Sequence, residues 1–313
     1  MNTAFTFPGQ GSQKIGMGKA LADAFASARE AFEEVDDALN TSLTGIMWAG
    51  EEEELRLTQN AQPALLATSI AIIRVVEKDF HIKLEDKVGY VAGHSLGEYS
   101  ALCAAGVFSL ADAVRLVRTR GAAMQKAVGV GEGAMAAILG LEMDVVRDIA
   151  EAAAQGQVCQ VANDNSPGQI VISGATAAID RAVDIAREKG ARMAVLLPVS
   201  APFHCDMMQP AAVVMQAELD HIDLSPASIP LVANVLASEI SRPDEIKSRL
   251  IEQVTGMVRW RESVVFMADN GIKTLYEIGA GKVLTGLARR IDRSLQAVAV
   301  GGPEEVEALA KAL

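Results

Sequence analysis

The stretch VGYVAGHSLGEYSALCAAG, Val88 to Gly106, constrains this chain more than any other. An apolar run stops at Gly93-His94-Ser95-Leu96-Gly97, and a small-residue helix pattern follows at once. Gly-x-Ser-x-Gly between a strand and a helix is the nucleophile-elbow pattern. The backbone turns so sharply there that a side chain at either glycine would clash. The serine is pushed out of the turn into a cleft. The amides at the start of the following helix point at the same place and can stabilise a developing oxyanion. Five residues alone are a weak signature, and a glycine-rich turn with a capping serine is the plain alternative. The strand before and the helix after give the pattern its force.

A serine hydroxyl is a poor nucleophile without a base. The chain has four histidines: His81, His94, His204 and His221. His94 adjoins the serine, but neighbours on an elbow point apart. His81 and His221 lie in polar, surface-like surroundings. His204 sits in Leu197-Pro-Val-Ser-Ala-Pro-Phe-His204, where two prolines can hold an imidazole rigidly over a cleft. It is the expected base. No acidic third member stands out.

The rest of the 313 residues is organised around that junction. Thr3 to Phe7 reads as a first strand, ending in the loop Pro8-Gly-Gln-Gly-Ser12. Helical patterning spans about Met17 to Leu39, Ala61 to Phe80, Ser95 to Ala105 and Leu110 to Ala127. Glu51 to Glu54 reads as a solvated helix start. Val128-Gly-Val-Gly-Glu-Gly133 reads as a hinge. Strands at Ala134–Leu139, Val158–Ala162, Gln169–Ser173 and Arg192–Leu197 then alternate with helices at Met143–Ala154 and Ala177–Lys189. That order, βαββαβ, is the ferredoxin-like split. The main unit resumes beyond Pro198 and includes a buried strand at Thr274–Ile278. The expected fold is therefore α/β: an α/β-hydrolase-like larger domain (1–127 and 198–313) with a parallel sheet core, and an inserted ferredoxin-like subdomain (128–197).

A formal net charge of -12 argues against general nucleic-acid binding, which depends on neutralising phosphates. Cys103, Cys159 and Cys205 show no metal-like pairing, so reduced thiols and no metal are expected. The N-terminus lacks the basic and apolar regions of a signal peptide, and no apolar stretch is long enough to span a bilayer. These features predict a cytoplasmic protein without a membrane role. Gly9-Gln-Gly11 fails as a dinucleotide fingerprint because Lys14 stands where the third glycine belongs. Gly279-Ala-Gly281-Lys282-Val283 fails as a P-loop at Tyr276 and Val283.

Five motifs occur together and in order: Phe7-Pro-Gly-Gln-Gly-Ser-Gln13, Gly93-His-Ser-Leu-Gly-Glu-Tyr99, Arg120-Gly, Asn163-Asp-Asn-Ser-Pro-Gly-Gln169 and Ser200-Ala-Pro-Phe-His204. The set resembles the malonyl-CoA:acyl carrier protein transacylase family of bacterial fatty-acid synthesis, from Phe5 to about Leu287. The resemblance implies that Ser95 attacks the thioester of malonyl-CoA and that His204 takes its proton. It implies a dyad in which the backbone carbonyl of Gln253 orients the histidine, in keeping with the missing acidic member. The oxyanion hole would be the N–H groups of Gln10 and Leu96. Arg120 would hold the substrate carboxylate, with Gln10 lining the same pocket, and a bidentate guanidinium suits that task. Without the resemblance, Arg120 reads equally as a surface arginine beside Arg115 and Arg118. Phe203 would be a wall excluding bulk at the α-carbon.

The second acceptor implied is the phosphopantetheine arm of acyl carrier protein, an acidic partner met transiently, with no bound cofactor. Lys126, Lys189, Arg192, Lys282, Arg289 and Arg290 are candidates for its docking. Family members of this size look monomeric. A serine esterase or thioesterase would use the same elbow, though it needs neither Arg120 nor the inserted unit. A non-catalytic scaffold that only binds the carrier is the reading from another class. Tolerance for methylmalonyl or acetyl groups, and service to a polyketide pathway, are not written in these motifs.

Overall fold

Short runs such as Ala4–Phe7, apolar but for Thr6, form strands buried on both faces, as parallel sheets require. The structure is a computed structural model and describes residues 1–313. Its strands, in chain order, are β1 (Thr3–Phe7), β2 (Tyr90–Gly93), β3 (Gly133–Leu139), β4 (Cys159–Ser166), β5 (Gln169–Ala175), β6 (Met193–Leu196), β7 (Leu231–Val232), β8 (Glu239–Ile240), β9 (Thr274–Ile278) and β10 (Gln296–Val300). Six of them form one sheet in the order β10-β9-β1-β2-β7-β8. Every pairing in it is parallel except β7–β8, a short antiparallel edge. β1 and β2 lie side by side near its centre, so the loops after both open on the same sheet end. Ligands of open parallel sheets bind at such carboxyl ends.

The other four strands form an antiparallel sheet, β4-β5-β3-β6. With helices Met143–Ala154 and Thr176–Glu188 they complete βαββαβ, in the strand order of the ferredoxin-like split. This lobe has its own apolar cluster, drawn entirely from residues between Ala136 and Ala194. It is also bonded to the main body. Val258 N–H donates to Ala162 O (2.9 Å), and Asp164 N–H donates to Val258 O (2.9 Å). Asp164 is buried and pairs with Arg261 at 2.8 Å. Met135, Ala162 and Val171 of the lobe belong to the main core. The glycine-rich run before β3 is a turn at the lobe border. Several independent ties, and not that run alone, set how the lobes meet.

Some element bounds differ from expectation. The pattern over Met17–Leu39 is two helices, Lys19–Ala24 and Ala26–Leu39, because Phe25 between them is extended (φ -126°, ψ 127°). The helix expected from Ala61 starts at Thr58, keeps Pro63 within its second turn, and passes into a π turn over Val75–Asp79. It is buried along nearly all its length, its polar Asn60, Gln62, Thr68 and Ser69 included. β4 runs four residues beyond Ala162, with irregularities between Val161 and Asn163 and between Asp164 and Ser166. Bulges of this kind re-aim side chains. Here they let the polar Asn163-Asp-Asn165 run stay in strand while facing the main body. No helix is long and apolar enough to cross a membrane.

Candidate active site

The elbow is a backbone solution forced by close packing. Ser95 stands at φ 54°, a left-handed conformation that costs a non-glycine residue energy. A Cβ on Gly93 would lie 1.9 Å from the Gly97 backbone, and one on Gly97 would lie 2.2 Å from Phe7 O. Both glycines are therefore obligatory. Gly9 also packs closely on His94, where a Cβ would meet the carbonyl oxygen at 2.7 Å. That contact seats the loop after β1 against the elbow, so that Gln10 and Ser95 line the same cavity. The N–H groups of Gln10 and Leu96 donate to no group of the protein.

Ser95 Oγ lies 2.7 Å from His204 Nε2, and His204 Nδ1 lies 2.9 Å from the carbonyl oxygen of Gln253. A carbonyl only accepts, so Nδ1 carries the proton and Nε2 presents its lone pair to the serine. His204 is itself at φ 60°. Both partners are thus held on left-handed backbone by their surroundings. Burial, and then the charge of Arg120, push the His204 pKa down to about 3. A base whose pKa is lowered stays neutral until the pH falls through that value. His204 is expected to remain the neutral Nδ1–H tautomer from pH 8 down to pH 5, read from its imidazole ¹⁵N shifts. Protonation near the ordinary histidine value would contradict this geometry.

Arg120, on helix Leu110–Lys126, is 1 % exposed. Its guanidinium donates to Gln62 Oε1 (2.9 Å), Gln253 Oε1 (2.8 Å) and Ser95 Oγ (3.2 Å). All three partners are neutral. The group also lies over the Tyr99 ring, 5.6 Å from its centroid, a cation–π arrangement. Nε has no hydrogen-bond partner within the protein. A buried guanidinium with no carboxylate bonded to it, touching the serine oxygen, is chemically suited to receive an anionic group beside the nucleophile.

Around this trio lies a polar frame that sequence reasoning missed. Asn234 Oδ1 accepts from the Ser95 N–H (2.9 Å), and Asn234 Nδ2 donates to Gly93 O (2.7 Å). Gln253 contributes its side chain as well as its carbonyl: Nε2 donates to Ser95 O (2.8 Å) and to the Glu98 carboxylate. Glu98 also accepts from the Asn234 N–H at 3.2 Å. Burial raises its pKa to about 7, against the pull of these hydrogen bonds and of Arg120. Glu98 stands inside the quoted elbow motif, but nothing local marked it.

The trio opens on a cavity of about 610 Å³ between the lobes. Gln10 lines it, as do Phe203 and Met124 from the main body and Met135, Asn163 and Val171 from the small lobe. His94 turns away from the serine: its Nε2 meets Asn165 Oδ1 at 2.8 Å, and its ring packs near Trp260. His81 and His221 are exposed. Of the basic docking candidates, Arg290 bonds Gln169 at the cavity wall (2.6 Å), and Arg289 holds Ala297 O. Arg56, not among those candidates, also lines the cavity. No group of three or more His, Cys, Asp or Glu is arranged to hold a metal.

A parallel sheet with an elbow serine at its carboxyl end and an inserted ferredoxin-like lobe over the cleft defines an acyltransferase. The family model described as acyl transferase domain matches residues 4–301. The malonyl CoA-acyl carrier protein transacylase of Bacillus subtilis is 46% identical over 97% of this chain and 95% of its own. The acyl-carrier-protein-S-malonyltransferase structure from Bartonella henselae superposes with a TM-score of 0.98 at 56% identity, covering 100% of this chain and 99% of that one. A malonyl-transacylase solved in complex with its type II PKS acyl carrier protein aligns at TM-score 0.96 and 42% identity, over 100% of both chains. The chain belongs to the malonyl-CoA:acyl carrier protein transacylase family.

Proposed function

We propose that this protein transfers the malonyl group from malonyl-CoA to the phosphopantetheine thiol of acyl carrier protein, supplying malonyl-carrier for fatty-acid synthesis. The observation that carries this reading is the Arg120 guanidinium 3.2 Å from Ser95 Oγ. A malonyl carboxylate is separated from the thioester carbon by one methylene. The anion receptor must therefore stand beside the nucleophile, as it does here.

In the first half-reaction the malonyl carboxylate pairs with Arg120, and Gln10 lines its pocket. Ser95 Oγ attacks the thioester carbon while His204 Nε2 takes its proton. The Gln253 carbonyl keeps the imidazole in the Nδ1–H tautomer. The tetrahedral oxyanion forms between the N–H groups of Gln10 and Leu96, which no protein acceptor occupies. Collapse breaks the C–S bond, and His204 returns its proton to the CoA thiolate. In the second half the carrier thiol gives its proton to His204 and attacks the malonyl-serine ester. Ser95 leaves, recovering that proton. No redox or metal step is needed, and no resident cofactor is part of the scheme.

Phe203 and the small-lobe residues form the wall that limits bulk at the α-carbon. Residues 128–197 act as the inserted subdomain of a catalytic domain made from 1–127 and 198–313. The enzyme works as a cytoplasmic monomer that meets its carrier transiently. The test is intact mass. Purified protein mixed with malonyl-CoA is expected to gain one malonyl on Ser95, and holo acyl carrier protein should then remove it and become malonylated. Free malonate accumulating without an adduct would make the protein a hydrolase. Neither adduct nor malonate would mark a scaffold.

A further inference from the structure

Glu98 is buried in the first turn of the elbow helix, 1 % exposed, and no step of the acyl transfer uses it. At pH 8, above its raised pKa, the Glu98 carboxylate is ionised and only accepts hydrogen bonds. The Gln253 amide therefore turns its NH2 toward Glu98 and toward the Ser95 carbonyl, which likewise only accepts. A primary amide has one oxygen, so that oxygen is left facing the Arg120 guanidinium at 2.8 Å. Reversed, Gln253 would point N–H groups at a guanidinium that itself has only donors. We infer that Glu98 is a positioning residue for carboxylate selectivity: by fixing, together with the Ser95 carbonyl, the place and direction of the Gln253 amide, it holds Arg120 beside Ser95.

The neighbouring contacts separate this role from general support of the dyad. Asn234 keeps its bonds to the Ser95 N–H and Gly93 O whatever stands at 98. His204 is bonded to the main-chain carbonyl of Gln253, which no side-chain change removes. The second anchor of Arg120, Gln62, lies on another helix and fixes only the other terminal nitrogen. Losing Glu98 should therefore disturb the terminal nitrogen that faces the serine. A glutamine at 98 that satisfies the Asn234 N–H with its oxygen presents its NH2 to the Gln253 NH2, which the Ser95 carbonyl also holds in place. Relieving that donor–donor contact displaces the Gln253 side chain, and its oxygen with it, from Arg120.

This inference rests on the malonyl-transfer reading and concerns the same site. The test compares malonyl-CoA with acetyl-CoA, which lacks the carboxylate, as donors to holo acyl carrier protein at pH 8. The proteins are wild type, Glu98→Gln, Gln253→Met and the double variant. Glu98→Gln is expected to lower the malonyl-to-acetyl ratio of kcat/KM by about ten-fold or more, the scale of one hydrogen bond to a charged group. Gln253→Met should lower it similarly, and the double variant should fall no further than the larger single loss. A purely structural role would depress both donors together and leave the ratio alone. An unchanged ratio in Glu98→Gln, or single effects that multiply in the double variant, would overturn the inference. Should Glu98→Gln not fold, Gln253→Met still decides, because an unchanged ratio there removes the link to Arg120. Failure of the malonyl-transfer reading shows separately, as absence of malonyl transfer by wild type.

Discussion

Ser95→Ala is expected to abolish the malonyl adduct and to lower malonyl transfer by on the order of 10⁴–10⁶-fold, the scale seen when a catalytic serine is removed. Alanine carries the same Cβ on the same left-handed backbone, φ 54°, so the change isolates the oxygen. The variant keeps Asn234 and Gln253 bonded to the main chain at position 95. It should therefore fold and bind malonyl-CoA. The measurement pairs intact mass after malonyl-CoA with a rapid-quench transfer assay. Transfer at a substantial fraction of the wild-type rate, without an adduct, would mean direct attack by the carrier thiol and would end the two-step scheme.

Arg120→Ala should lower malonyl transfer by far more than acetyl transfer. A buried malonyl carboxylate deprived of its partner costs about 3–5 kcal/mol, or roughly 10²–10⁴-fold in kcat/KM. Acetyl has no carboxylate to strand, so it reports the other losses. Those losses are real: the truncation leaves Gln62 Oε1 and Gln253 Oε1 without their donor and opens a void over Tyr99. Both donors share them, and the ratio cancels them. Arg120→Lys keeps the charge but not the fork, so it should fall between alanine and wild type. Equal losses on malonyl and acetyl in the alanine variant would show that Arg120 is not the carboxylate receptor.

The two variants probe features of very different legibility. The serine is readable because its reason is local. Five consecutive residues share one sharp turn, and their spacing carries the steric demand for glycine. The βαββαβ lobe is readable because alternation of strand and helix periods is also local. His204 emerges by elimination, since a histidine of use must be one of four. Arg120 is different. On helical pattern alone it matches Arg115 and Arg118, and only resemblance singled it out. Its burial follows from which face of helix Leu110–Lys126 meets helix Thr58–Arg74, a tertiary fact.

Element boundaries failed where tertiary packing overrode pattern. The strand expected to end at Ala162 continues through Asn163-Asp-Asn165, because Val258, Arg261 and His94 supply polar partners for that run. Phe25 breaks a continuous helical pattern for which no local breaker is present.

The sequence by itself determined the elbow, the βαββαβ order of the small lobe and the candidates for nucleophile and base, because each depends on neighbours along the chain or on scarcity of alternatives. Only the tertiary structure decided the frame that makes them a site. Glu98 meets Asn234 and Gln253 across 136 and 155 residues, and Arg120 meets Gln253 across 133. Hydrogen-bond direction in a buried network depends on which donor faces which acceptor in space. Residues so far apart leave no periodicity from which that could be read.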